Sequence, residues 1–188
     1  MNQLQVKWKL KKTLEVQREE FSNGKFIATP LAGLIVWGII GFVGLFFSKT
    51  VAVWSIFIGT GSIVYIGLFL SKFTGENFLD KNKPKNVFDT LFLVTVCQAV
   101  LVYAIAIPFF IIDYSSLPLT VGILTGLMWL PFSWIVQHWV GYFHAISRTL
   151  LVLMLWYLVP EHRFVAIPFM IVFIYLTTLI ILGKRKIK

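Results

Sequence analysis

The chain has 188 residues, 58% of them hydrophobic and only 13% charged, and its 17 Lys and Arg outnumber 8 Asp and Glu for a formal charge of +9. Such hydrophobicity and aromatic content exclude disordered and fibrous classes. The cations stand mostly beside the ends of apolar runs, where membrane topology and anionic lipid account for them without nucleic acid. Single Cys97 excludes an internal disulfide.

Residues 1–28 form a charged leading segment. Val6, Leu10, Leu14 and Phe21 share one side of a helical wheel, with Lys7, Lys9, Lys11 and Lys12 around its early turns. This pattern predicts a cytoplasmic amphipathic helix, either lying on anionic lipid or solvated, with a break at Ser22-Asn23-Gly24. Six apolar runs follow: Leu31 to Phe47, Val51 to Leu70, Val87 to Ile112, Leu117 to Val136, Trp139 to Val159 and Phe164 to Leu182. At about 1.5 Å per residue, even the shortest reaches roughly 26 Å, close to the hydrocarbon thickness. The expectation is an all-α, polytopic bundle of six transmembrane helices over 29–183, closed by a basic tail at 184–188. The long first run follows some thirty residues of charged chain without a small-residue cleavage pattern, which argues against a cleavable signal peptide.

Orientation follows from the cations. With a cytoplasmic N-terminus, only Lys49 and Arg163 of the 17 Lys and Arg fall outside, leaving 15 inside (17 − 2). That bias and an even number of spans predict both termini in the cytoplasm of a multi-pass cell-membrane protein. Trp54, Trp156 and Tyr157 then mark the outer interface, and Trp134, Trp139 and Tyr142 the inner one.

Along the runs, Gly38, Gly41 and Gly44 in the first, Ser55, Gly59 and Ser62 in the second, and the Gly122/Gly126 pair in the fourth predict close helix packing, with contacts inside one chain as the default. Trp37 and Trp129 lie deeper than the belts, suited to packing between helices. Pro108, Pro131 and Pro168 predict bends. Thr60, Gln98 and Thr125 share a similar mid-membrane depth, where polar groups either tie helices together or line a substrate site. The loop from Ser71 to Asn86 is the longest connection. Asn86 and Asp89 then resemble a capping box at the start of the third run.

The fifth run carries the most informative charge. If it began after Arg148, only about 17 Å of helix would remain, too little to cross. Arg148 therefore lies inside the helix, roughly 13 Å from a start near Trp139, with His144 on the same face. It either snorkels to the headgroups or makes a buried polar contact. A cytoplasmic-side cluster of Asp89, Gln137, His138, His144 and Arg148 is the candidate site, with Asp89 the expected partner of Arg148.

These features resemble a family of small bacterial multi-span membrane proteins of unassigned function. The likeness rests on Phe26-Ile27-Ala28 before a Trp-containing span, Leu70-Ser71-Lys72, Asp80-Lys81-Asn82-Lys83-Pro84, Cys97-Gln98, and Leu130-Pro131-Phe132-Ser133-Trp134, with Cys97 where that group is expected to carry Asn. It implies an all-helical bacterial membrane protein and supplies no reaction. No HExxH, GxSxG or phosphate-cradling glycine loop occurs in the sequence, so no enzyme and no cofactor or metal site is expected. Two classes stay open: an accessory, regulatory or structural protein of the bacterial inner membrane, and a small-solute transporter or channel subunit. A protein partner or a second copy of the chain is compatible with either.

Overall fold

The computed structural model describes residues 12–78, 80 and 86–186. Their α-helices are α1 (Leu14–Ser22), α2 (Ala28–Phe46), α3 (Lys49–Thr74), α4 (Val87–Leu101), α5 (Tyr103–Ile112), α6 (Leu117–Leu124), α7 (Trp129–Val136), α8 (Val140–Leu158) and α9 (Arg163–Gly183). Single 3-10 turns at Tyr114–Ser116 and Pro160–His162 join α5 to α6 and α8 to α9. The fold is an all-α bundle.

Among the described residues, five segments have both the length and the hydropathy to cross a membrane: Ala28–Phe46, Lys49–Thr74, Val87–Ile112, Tyr114–Val136 and Pro160–Gly183. The 19-residue α8 equals α2 in length, but His144, Ser147 and Arg148 make it more polar. Large apolar side chains cover the outside of the bundle, Phe46, Ile58, Val100, Ile111 and Leu158 among them. In lipid such exposure has no hydrophobic cost, because the surroundings are as apolar as the side chain.

Prolines account for the interruptions unequally. Between α6 and α7, residues 125–128 form turns: Gly126 N–H bonds to the Ile123 carbonyl at 2.8 Å and Leu130 N–H to the Leu127 carbonyl at 3.0 Å. Pro131 lacks the N–H that Leu127 would receive in a helix, and its ring crowds that carbonyl, so the ladder shortens to three-residue steps. Val102 separates α4 from α5 within two turns of Pro108, whereas Pro168 sits inside an unbroken α9.

α2 packs most extensively, with α3 on one side and α9 on another. Its glycines set the approach to α9. A Cβ at Gly33 would come within 2.3 Å of the Tyr175 ring, at Gly41 within 3.1 Å of Phe169, and at Gly44 within 2.2 Å of the Phe164 carbonyl oxygen. The glycine spacing of the first run thus serves packing within the chain.

One end of the bundle collects the segments around residues 17–28, 71–78, 86 and 185. Arg185 donates to the Gly24 carbonyl, Lys25 Nζ to the Thr74 carbonyl at 3.4 Å, and Asn86 Nδ2 to the Gln17 carbonyl at 2.6 Å. Glu76 Oε1 accepts from both Ile27 N and Ala28 N at 2.8 Å, capping α2 from the far end of α3. Ile27 offers no side-chain cap of its own, so this carboxylate satisfies two of the N–H groups that a helix start leaves unpaired. Asn86 Oδ1 caps α4 through Phe88 N at 2.9 Å, the capping residue expected there. At this end Arg185 is half-buried, and its pKa is lowered by that burial. His138 is shifted down as well, by burial first and by the nearby Arg185 charge second.

The α1 helix docks on this end. Phe21 is buried against Phe26, with centroids 4.9 Å apart, and Phe92 at 6.0 Å continues the cluster to Phe132. Arg18 covers the Trp134 ring at 4.4 Å. Leu14, on the same predicted apolar side as Phe21, is exposed. Val6, Leu10, Lys7, Lys9 and Lys11 lie outside the described residues.

The opposite end holds Arg163. Its Nε donates to the Trp156 carbonyl at 2.9 Å and its Nη1 to Ser115 Oγ at 2.7 Å, while its guanidinium lies 4.0 Å from the Trp156 ring centroid. Trp54 and Tyr157 are exposed, as interfacial aromatics are.

Candidate functional site

Arg148 is 0% exposed. It projects from α8 between α2, α6 and α9, roughly 12 Å from the start of its helix. Tyr175 lies about as far from the end of α9 and Trp37 roughly 14 Å from the start of α2, so all three share one level, close to half the depth of a hydrocarbon layer about 30 Å thick.

The guanidinium is held by neutral groups. Nε donates to the Gly122 carbonyl at 2.6 Å, Nη2 to Thr125 Oγ1 at 2.8 Å and Nη1 to the Tyr175 hydroxyl at 3.3 Å, with His144 Nε2 at 3.5 Å. Its Cζ lies 5.2 Å from the Trp37 ring centroid and 5.6 Å from that of Tyr175. Among the described residues, the ion pair is Lys12 with Glu20, and Arg148 has no carboxylate partner. Charged hydrogen bonds contribute about 1.5–3 kcal/mol each, and placing Arg at a helix centre costs about 2.5–3.5 kcal/mol on insertion scales. Three bonds and two rings therefore suffice to hold it.

The local backbone was shaped for this. Because Gly126 N–H turns to Ile123, the Gly122 carbonyl is left to accept from Arg148. A Cβ at Gly126 would meet Arg148 Cδ at 2.8 Å, so only glycine leaves room for the arginine stem. The GxxxG pair thus admits a side chain at one glycine and packs against Ile171 and Val152 at the other.

His144 is likewise buried, stacked on Trp129 at 4.3 Å and edge-on to Tyr175 at 4.7 Å. Thr178 Oγ1 gives its proton to the Ile174 carbonyl at 2.8 Å, so at the 2.9 Å contact with His144 Nδ1 the ring must be the donor. This tautomer turns the Nε2 lone pair toward Arg148.

Beside the site opens a cavity of about 660 Å³ between α3 and α4. Ile63, Val64, Leu68, Leu93 and Val96 supply its apolar walls, Thr60 and Tyr103 one polar corner, and Thr125, Trp129 and Tyr175 its boundary with the Arg148 cluster. Asp80, Asn86 and Asp89 stand at its other end. Thr60 Oγ1 donates to the Ile56 carbonyl at 2.6 Å, so in its short contact with Tyr103 the tyrosine hydroxyl is the donor.

The predicted residues are regrouped. Thr60 and Thr125 border one cavity, but Gln98 is exposed on α4, where Thr95 instead is buried and bonds to the Leu91 carbonyl at 2.9 Å. His144 and Arg148 lie together, and Thr125 joins them as a ligand of the guanidinium. Asp89 borders the cavity at the first turn of α4 and is not among the described contacts of Arg148. Gln137 is exposed in a left-handed conformation that ends α7 (φ 52), and His138 Nδ1 accepts from Val140 N at 3.2 Å in the same turn. Neither is among the described contacts of the buried pair. Sequence reasoning passed over Tyr103, Tyr175, Thr178 and Glu76. The signal for the tyrosines was a phenol inside an apolar run, since a hydroxyl in hydrocarbon needs a partner. Among the described residues no group of His, Cys, Asp and Glu is disposed to hold a metal ion.

Fold and site define a multi-pass α-helical membrane protein with a cation at its interior. The model of a family described as "Family of unknown function (DUF7010)" matches residues 14–185, and the chain belongs to that family. No curated protein and no solved structure matches it.

Proposed function

We propose that the chain is a non-enzymatic protein of a bacterial inner membrane that holds a small lipophilic molecule between α3 and α4, in an accessory or regulatory role. The cavity of about 660 Å³ carries this reading, because its size and largely apolar lining suit a ligand of drug-like dimensions. α8 is read as the sixth span, its Arg148 masked by neighbours rather than presented to lipid. Its cationic ends, read by the positive-inside rule, orient both termini toward the cytoplasm, where anionic lipid is the partner of the basic segments. A membrane-impermeant maleimide that modified Lys184→Cys in intact cells, with Cys97 replaced by Ser, would reverse that orientation.

A photoreactive, diazirine-bearing dodecanol tests the cavity in nanodiscs. Saturable labelling at Met128 and Trp129, lost in Gly61→Phe, is the expected result; labelling that never saturates, or that ignores the substitution, removes the reading. Gly61 suits this purpose because a Cβ there meets nothing within 4 Å. The second reading, a small-solute transporter or channel subunit, is favoured by the reach of the cavity from Asp89 to Thr60 and Tyr103 at mid-membrane depth. Proteoliposome flux above that of empty vesicles, abolished by Gly61→Phe, would establish it instead.

A further inference from the structure

A buried cation without a carboxylate partner leaves positive potential that a ligand can use. Arg148 itself does not border the cavity, but two of its ligands do. Thr125 Oγ1 accepts from Nη2 and passes its own proton to the Val121 carbonyl at 2.6 Å. Tyr175 accepts from Nη1, and among the described residues its own hydroxyl proton has no acceptor. A phenol that receives a bond from a guanidinium becomes a better donor, since each bond polarises the next. In a low-dielectric interior the full charge behind it is weakly screened.

Resting on the cavity reading above, we propose that the occupant is a single-chain amphiphile with an anionic head, a carboxylate or a phosphate monoester, seated by Tyr175 against the Arg148 cluster. The alkyl chain lies along Ile63, Val64, Leu93 and Val96. The head supplies the negative charge that Arg148 lacks, and the tail fills space near Gly61 that no side chain of the described residues occupies.

Competition against the diazirine-bearing dodecanol at Met128 and Trp129 tests this on the full chain in nanodiscs. Unlabelled dodecanoate or dodecyl phosphate is expected to displace the label at a concentration about ten-fold or more below that needed for dodecanol or dodecyltrimethylammonium. Whichever anion acts at the lower concentration assigns the head as carboxylate or phosphate. Tyr175→Phe keeps the ring that packs on Gly33 and is expected to shrink the anion preference to within about three-fold, while dodecanol competes as before. Equal competition by dodecanol and the anions, a preference for the ammonium compound, or an undiminished anion preference in Tyr175→Phe overturns the proposal and leaves the cavity reading standing. Failure of all four to displace the label overturns both.

Discussion

The two faces of α3 differ in what they meet. Toward α2 the helix is closely packed: Ala52 and Ile56 are buried, and a Cβ at Gly59 would touch Ile40 and Val36 at 3.1 Å. Toward α4 the same helix borders the 660 Å³ cavity, and a Cβ at Gly61 meets no atom of the described residues within 4 Å. Glycines two residues apart thus serve opposite ends, one permitting contact and the other leaving space. In hydrocarbon no hydrophobic force closes a gap between helices, so close approach depends on small residues and polar ties being present at the contact. The α2, α3 and α9 faces have them; the α3 face toward α4 has the Thr60 to Tyr103 contact at one corner.

Substitutions can break this contrast. The largest effect is expected at Gly44, where a Cβ would lie 2.2 Å from the Phe164 carbonyl oxygen, an atom of the backbone. Gly44→Ala should destabilise by about 3 kcal/mol in mixed-micelle unfolding, and a neutral outcome would show that α2 and α9 separate readily. Arg148→Met follows. It leaves the Gly122 carbonyl, Thr125 and Tyr175 without their donor, and a loss of about 2–3 kcal/mol is expected in the same assay. Glu76→Ala removes the distant cap of α2 and should cost about 1 kcal/mol, with faster amide exchange confined to Ile27 and Ala28.

At the cavity the sign reverses. Gly61→Ala adds a side chain into open space and raises helix propensity, so stability should rise by up to about 1 kcal/mol. A loss there would mean that α3 and α4 close on one another. The smallest effect is expected at Asp113, outside the spans, whose pKa is held below 3.8 by hydrogen bonds from the Ser115 side chain and backbone, with a lesser contribution from Arg163. A carboxyl with a depressed folded pKa stabilises above its unfolded value and loses that contribution as pH falls through the folded value. Ser115→Ala should therefore lower stability slightly at neutral pH and flatten the acid limb below pH 3.8, the two proteins converging at the acid end. An unaltered acid limb would remove Asp113 from the account.

Arg148 marks how far the sequence could be read. Its place inside the fifth run followed from counting residues against membrane thickness, and a buried contact was one of two alternatives. Which groups make that contact was not legible. Asp89 was the chemically obvious partner, yet neutral oxygens and rings surround the arginine, since Gly126 N–H turns to Ile123 and leaves the Gly122 carbonyl to accept. Gln98 shows the converse limit: depth along a helix was readable, but the direction in which its side chain points depends on which neighbours α4 packs against.

Hydrophobic runs, cation placement, caps and glycine spacing are properties of a chain in one dimension, and they determined the helical class, the membrane setting and the capping role of Asn86. The α2 cap from Glu76, the tautomer of His144 and the cavity behind Thr125 and Tyr175 arise where segments far apart in sequence meet. Only packing decided those, because hydrogen bonds and empty space between helices depend on distances that no local pattern encodes.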